Sequence, residues 1–140
     1  MRRRVLPILA TMVLGVLLLG GAALAATIDG TASQDDLVGK DKDDTIHGGG
    51  GRDYVSGLAG NDSLWGGSGT DTVVGREDND TIYGNADPDY LFGNLGNDTI
   101  YGAGDRQEDV VNCGAGVDTA YVDKLDRVSN NCENVFVRVT

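Results

Sequence analysis

Histidine and tryptophan each occur once in this chain of 140 residues, and proline and cysteine twice each. A lone histidine, His47, leaves no H-E-x-x-H pair for a zinc hydrolase, and two cysteines with no histidine nearby lack the spacing of a zinc site. A serine nucleophile elbow is missing too, because Gly66-Gly67-Ser68-Gly69-Thr70 departs from G-x-S-x-G at its last place. With nucleophile, base and pocket all lacking, no catalytic residue and no organic cofactor site is assigned, and an enzyme is the least supported class. Positive charge is scarce, 11 Lys and Arg against 22 Asp and Glu, for a net charge of −11. Such a chain repels phosphates, which excludes nucleic acid and anionic lipid surfaces as partners. Aromatic residues make up only 6%, and composition alone would place an acidic, glycine-rich chain among the disordered ones. Long apolar runs are confined to the segment before Thr27.

That front segment has the layout of a secretory signal peptide. Arg2, Arg3 and Arg4 precede an almost wholly apolar stretch from Val5 to Leu19, and Ala23-Leu24-Ala25 supplies small residues around a cleavage point. The competing reading is a retained membrane anchor, since Val5 to Ala26 is about long enough to span a bilayer. Glycines at 15, 20 and 21 favour removal of residues 1–25, which leaves no membrane segment behind. No cysteine stands at the cleavage point to carry a lipid. Cleavage would take away three arginines and no acid, moving the formal charge from −11 to −14. The remaining length suits one domain.

What the chain has in abundance is order. An aspartate recurs at every ninth place, at Asp35, Asp44, Asp53, Asp62, Asp71, Asp80, Asp89 and Asp98. Two places after each stands an aliphatic residue, Leu37, Ile46, Val55, Leu64, Val73, Ile82, Leu91 and Ile100, and two places later a glycine. The first two copies, from Gly30 and Gly39, have lost their inner glycines, as terminal repeats of a stacked array often do. Asp78 and Asp87 replace an inner glycine where a positive φ is needed, which aspartate tolerates better than most. Pro88 suits a turn and not a strand. After Gly102 the spacing slips by two places to Asp109 and Val111, and a further copy supplies Asp118 and Ala120. These two aspartates are the weaker site candidates.

From Gly48 to Val74 the chain reads G-G-x-G-x-D-x-U-x, with U aliphatic. This resembles the calcium-binding nonapeptide repeat of the RTX, or haemolysin-type, family over roughly residues 30 to 120. The resemblance implies an all-β fold, a right-handed parallel β-roll of two sheets occupying residues 26–120, with two nonapeptides, about 18 residues, per coil. It also implies Ca2+ as the ion bound. The residues themselves support both. Each nonapeptide holds a glycine-rich six-residue turn and a three-residue strand such as Thr81-Ile82-Tyr83, whose middle residue points inward. Coils about 4.8 Å apart bring aspartates two nonapeptides apart into register. One edge then carries Asp35, Asp53, Asp71 and Asp89, and the other Asp44, Asp62, Asp80 and Asp98. Carboxylates stacked so closely call for a cation between them. Calcium, with six to eight oxygen ligands and a tolerance for carbonyls, suits the gap better than magnesium. Its shell would draw on these aspartates and on backbone carbonyls near Gly48, Gly57, Gly66, Gly75, Gly84 and Gly93. Each edge has three such gaps, so the regular repeats provide roughly six sites, and ion binding is expected to drive folding.

Residues 121–140 differ in kind. Val135, Val137 and Val139 alternate with Phe136 and Arg138, the pattern of a last strand capping the stack. Cys113 and Cys132, an even count in an exported chain, read as one disulfide. A rival class to the calcium scaffold is an adhesin. The same two-repeat spacing stacks His47, Trp65, Tyr83 and Tyr101 on one outer face beside Thr45, Ser63, Thr81 and Thr99, either as ordinary cross-strand packing or as a flat platform for a glycan or cell surface. Sequons at Asn61, Asn79 and Asn97 fall on the repeat itself and read as its by-product. Many RTX proteins leave the cell through a C-terminal signal, so an N-terminal one argues against a toxin-like role. The expected protein is secreted and extracellular.

Overall fold

In the computed structural model, which describes residues 24–102, 104 and 106–139, the chain winds as a parallel β-solenoid of about six turns. Most of the expected signal segment, residues 1–23, lies outside the described residues. Thirteen strands form two sheets. The first is β1 (Thr27–Asp29), β3 (Thr45–Gly50), β5 (Ser63–Ser68), β7 (Thr81–Ala86), β9 (Thr99–Tyr101), β11 (Thr119–Val122) and β13 (Asn134–Val137), paired in that order. The second is β2 (Asp36–Val38), β4 (Tyr54–Ala59), β6 (Thr72–Glu77), β8 (Tyr90–Leu95), β10 (Val110–Ala115) and β12 (Arg127–Val128). Every pairing is parallel. Through β9 the partners stand two nonapeptides apart, as in Leu64 beside Ile82 and Val55 beside Val73.

The core is a single double file. Ile46, Leu64, Ile82 and Ile100 descend one sheet and Val55, Val73, Leu91 and Val111 the other, all fully buried. One aliphatic per nonapeptide is too little for any coil to fold alone; each file becomes continuous only by stacking. The strands run past the three places read from the sequence. β3 to β8 have six residues each, because coils of one shape keep their ladder bonds past the glycine corner, where Gly49 still pairs with Gly67.

Two inner places of the repeat require a positive φ. Gly67 and Gly69 supply it, and a Cβ on either would strike the backbone of the coil before. Asp78 (φ 72°) and Asp87 (φ 74°) take the same conformation, as read from the sequence. Leu58 (φ 84°) and Arg76 (φ 99°) do so without the local hydrogen bonding open to aspartate, and carry backbone strain. The slip after Gly102 is taken up between β9 and β10, so Val111 lies beside Leu91 and Ala120 beside Ile100, each two places beyond the regular step. The tail adds β12 to one sheet and β13 to the other. Val135 there stands in the core file next to Ala120, yet is 42% exposed, since among the described residues no strand pairs on its far side.

Ile82→Ala, in the middle of the file, should lower stability by about 2–5 kcal/mol. Leu58→Gly should raise it, since relief of about 1–3 kcal/mol of φ strain exceeds the roughly 0.5–1 kcal/mol of added chain entropy. Urea midpoints of the two variants against the parent test both signs.

Candidate metal centre

The eight periodic aspartates lie at the two edges of the solenoid, each at the end of a glycine-rich corner and just before a strand. The structure joins them into two ladders. From Asp53 and Asp62 onward, Oδ1 accepts the backbone N–H of the aspartate one coil earlier, while Asp44 Oδ1 accepts the Ala26 N–H and Asp35 Oδ2 the Thr31 N–H. Asp35 donates to Asp53, Asp53 to Asp71 and Asp71 to Asp89, each at 2.8 Å. On the other edge Asp44 donates to Asp62 at 2.7 Å, Asp62 to Asp80 at 2.9 Å and Asp80 to Asp98 at 2.8 Å. Asp109 and Asp118 extend the ladders, accepting from Asp89 and Asp98 at 2.8 Å. Two members were not read from the sequence. Asp126 accepts from Asp109 at 3.0 Å and Glu133 from Asp118 at 2.9 Å. They stand in coils whose length has changed, so the period could not reveal them.

The second carboxylate oxygen is left over. Oδ2 of Asp53, Asp62, Asp71, Asp80, Asp98 and Asp118 is buried and accepts no hydrogen bond. A buried, unpaired carboxylate oxygen is costly, and a cation is the natural remedy. On Asp53, Asp62, Asp71, Asp80 and Asp98 this oxygen looks into a hollow kept open by the glycine five places earlier. A Cβ on Gly66 would come within 2.8 Å of Asp71 Oδ2 and 2.9 Å of the Gly84 carbonyl oxygen. On the other edge a Cβ on Gly57 would fall on Asp62 Oδ2 and come within 3.0 Å of the Gly75 carbonyl oxygen. Carboxylate and carbonyl oxygens from successive coils thus converge on one point. Among the described residues no three His, Cys, Asp or Glu side chains gather there, so a shell in these hollows is completed by backbone carbonyls. An all-oxygen set of that kind fits calcium.

Burial raises the acids' affinity for protons. Asp80 is pushed up to about 8, first by its removal from water and then by Asp62 and Asp98, against the lowering effect of the Asp62 N–H. Asp62, Asp71 and Asp98 rise to about 6, again chiefly through burial. Asp53 and Asp118 are raised for the same reason.

Outside the ladders the repeats stack other side chains. Asn79 donates its N–H to Asn61 Oδ1, Asn97 to Asn79, and Val117 to Asn97, so the asparagines of the three sequons form an amide ladder of their own. His47, Trp65, Tyr83 and Tyr101 form the expected column, which continues to Tyr121 and Phe136. Planes from Trp65 to Tyr121 lie within 6° of parallel, with centroids 4.6–5.1 Å apart. The rings therefore turn their faces to one another and present edges outward, the geometry of cross-strand packing. A sugar stacks on a ring face, and this column leaves none flat toward solvent along its length.

The raised acids set the sign of the pH dependence without a cation. The folded chain holds protons that the unfolded chain, titrating near 3.8, has lost. Their contribution to stability is complete below that value and is lost as pH rises through about 6 to 8. In chelator the thermal midpoint should fall between pH 5 and 8, and excess divalent cation should reverse the slope. Thermal scans by circular dichroism read both.

Four overlapping stretches, residues 29–64, 51–82, 74–106 and 83–120, match the RTX calcium-binding nonapeptide repeat. No curated protein and no solved structure matches the chain. The match spans well over half the chain and coincides with the coils that carry the two carboxylate ladders, and on that ground the chain belongs to the RTX calcium-binding nonapeptide repeat family.

Proposed function

We propose that this protein is a secreted calcium-binding repeat protein whose β-roll is completed by ions held between its coils. The observation that carries the reading is the row of buried, unpaired Oδ2 atoms facing carbonyl oxygens across glycine hollows on both edges. Asp35, Asp44, Asp53, Asp62, Asp71, Asp80, Asp89 and Asp98 would supply the carboxylates, with Asp109 and Asp118 at the less regular end. Calcium, when bound, would supply the positive charge that lets these mostly buried acids stay ionised. The chain's own part is to bring each carboxylate to the hollow, hold it by the ladder hydrogen bond and keep a Cβ out.

Coupling of binding to folding follows from the slender core. A solenoid with one inward aliphatic per repeat and rows of like charge gains its missing free energy from the ions. Extracellular modules of this kind work at roughly 0.1–1 mM calcium, a level met outside cells. The signal-like residues 1–25 and the disulfide agree with export. The reading is of a scaffold and not of a catalyst.

Asp80→Asn tests the ligand role apart from the ladder, because the amide keeps an oxygen to accept the Asp62 N–H. The variant should bind fewer calcium ions by calorimetry and need roughly tenfold more calcium to fold, while its metal-free form gains stability. Unchanged stoichiometry and folding midpoint would overturn the assignment.

A further inference from the structure

The repeat's leading glycine is kept for space and not for backbone conformation. Among the described residues Gly39, Gly57, Gly75 and Gly93 all lack a positive φ, unlike the inner glycines Gly49, Gly67 and Gly69. What bars a side chain there is the hollow. A Cβ on Gly75 would fall on Asp80 Oδ2 and within 2.9 Å of the Gly93 carbonyl oxygen, and one on Gly93 would fall on Asp98 Oδ2 and the Cys113 carbonyl oxygen.

In the next coil of the same edge this place is taken by Cys113. Gly114 and Ala115 pair with Asn94 and Leu95, which sets Cys113 directly beside Gly93. The ordinary φ of the place lets a cysteine adopt the backbone of a glycine. Its Cβ then stands where the other turns leave their opening, and its sulfur crosses to Cys132 in the following coil. Cys113 is fully buried in the core and Cys132 packs against it. Everything else about the turn follows the pattern. Asp118, five places on, carries a buried Oδ2 with no hydrogen-bond donor, and Glu133, next to Cys132, accepts the Asp118 N–H as a ladder aspartate would.

We infer that the Cys113–Cys132 disulfide stands in for a metal ion: it fills the last inter-coil hollow of the Asp44–Asp118 edge and joins covalently the two coils that an ion joins elsewhere. The placement has a physical reason. Among the described residues the last coil has a neighbour on one side only and frays most readily. Its partner acid, Glu133, is exposed, so an ion there would be reached by water. A covalent link holds that end at any calcium concentration. The inference rests on the calcium reading of the other hollows.

Two double variants differing by one methyl group test it. Cys113→Ala/Cys132→Ala keeps the Cβ in the hollow, and Cys113→Gly/Cys132→Ala removes it. By calorimetry with calcium alone, the glycine variant should bind one ion more per chain than the alanine variant. Equal stoichiometry in the two overturns the inference, whereas no calcium binding in the unaltered chain overturns the calcium reading itself. A second measurement uses the unaltered chain in saturating calcium. On reduction, amide exchange in β12 and β13 should quicken at least about tenfold while β3 to β7 stay protected. Exchange that does not change on reduction would show that the disulfide holds nothing in place and would also overturn it.

Discussion

The structure depends on how one carboxylate is divided. From Asp44 onward, each ladder aspartate spends Oδ1 on the backbone N–H of the coil before, which fixes coil to coil and holds the side chain still. At Asp53, Asp62, Asp71, Asp80, Asp98 and Asp118, Oδ2 is thereby aimed into a buried space with no donor to meet it. A hydrogen bond to a carboxylate is stronger than a neutral one, and it offsets part of the cost of burying the charge. The rest of that cost is visible in the raised proton affinity of Asp62, Asp71, Asp80 and Asp98. The metal-free solenoid thus has edges that favour added positive charge, seen in the raised proton affinity of these acids.

The rest of the molecule is thin by comparison. Its core is two single files of aliphatic side chains, and the outer faces are stacked columns in which each residue meets its own kind one coil away. Stacking of His47 through Phe136 and the amide ladder through Asn61, Asn79 and Asn97 both run along the solenoid axis, like the carboxylates. Nearly every stabilising contact joins neighbouring coils. Stability in such an array is a sum of nearest-neighbour terms, so the ends are its weak places. At the C-terminal end the core file lies open at Val135 and Val137, and there the disulfide is found.

Much of this was legible in the residues. The ninefold spacing of Asp35 to Asp98 and of their aliphatic partners predicts both ladders, the inward file and the two parallel sheets, because a strict period in sequence becomes a strict register once coils stack. The positive φ of Asp78 and Asp87 was legible for the same reason: a known place in the repeat carried an unusual residue. The six-residue length of the strands was not, since pairing past a corner depends on the neighbouring coils having that corner too. Nor was the strain at Leu58 and Arg76, whose side chains give no local sign of it.

By itself the sequence determined the nine-residue period, the identity of the inward residues and the recurring acids, for these follow from spacing and the alternation of a strand, while the resemblance to a known repeat implied the two-repeat coil and so the two rows. Only the tertiary structure decided what each acid does with its two oxygens, that ring faces in the aromatic column meet each other, and that Asp126 and Glu133 complete the ladders out of period. It alone put Cys113 in a glycine's place facing Cys132. Such facts depend on the distance between atoms in successive coils, and no count along the chain contains that distance.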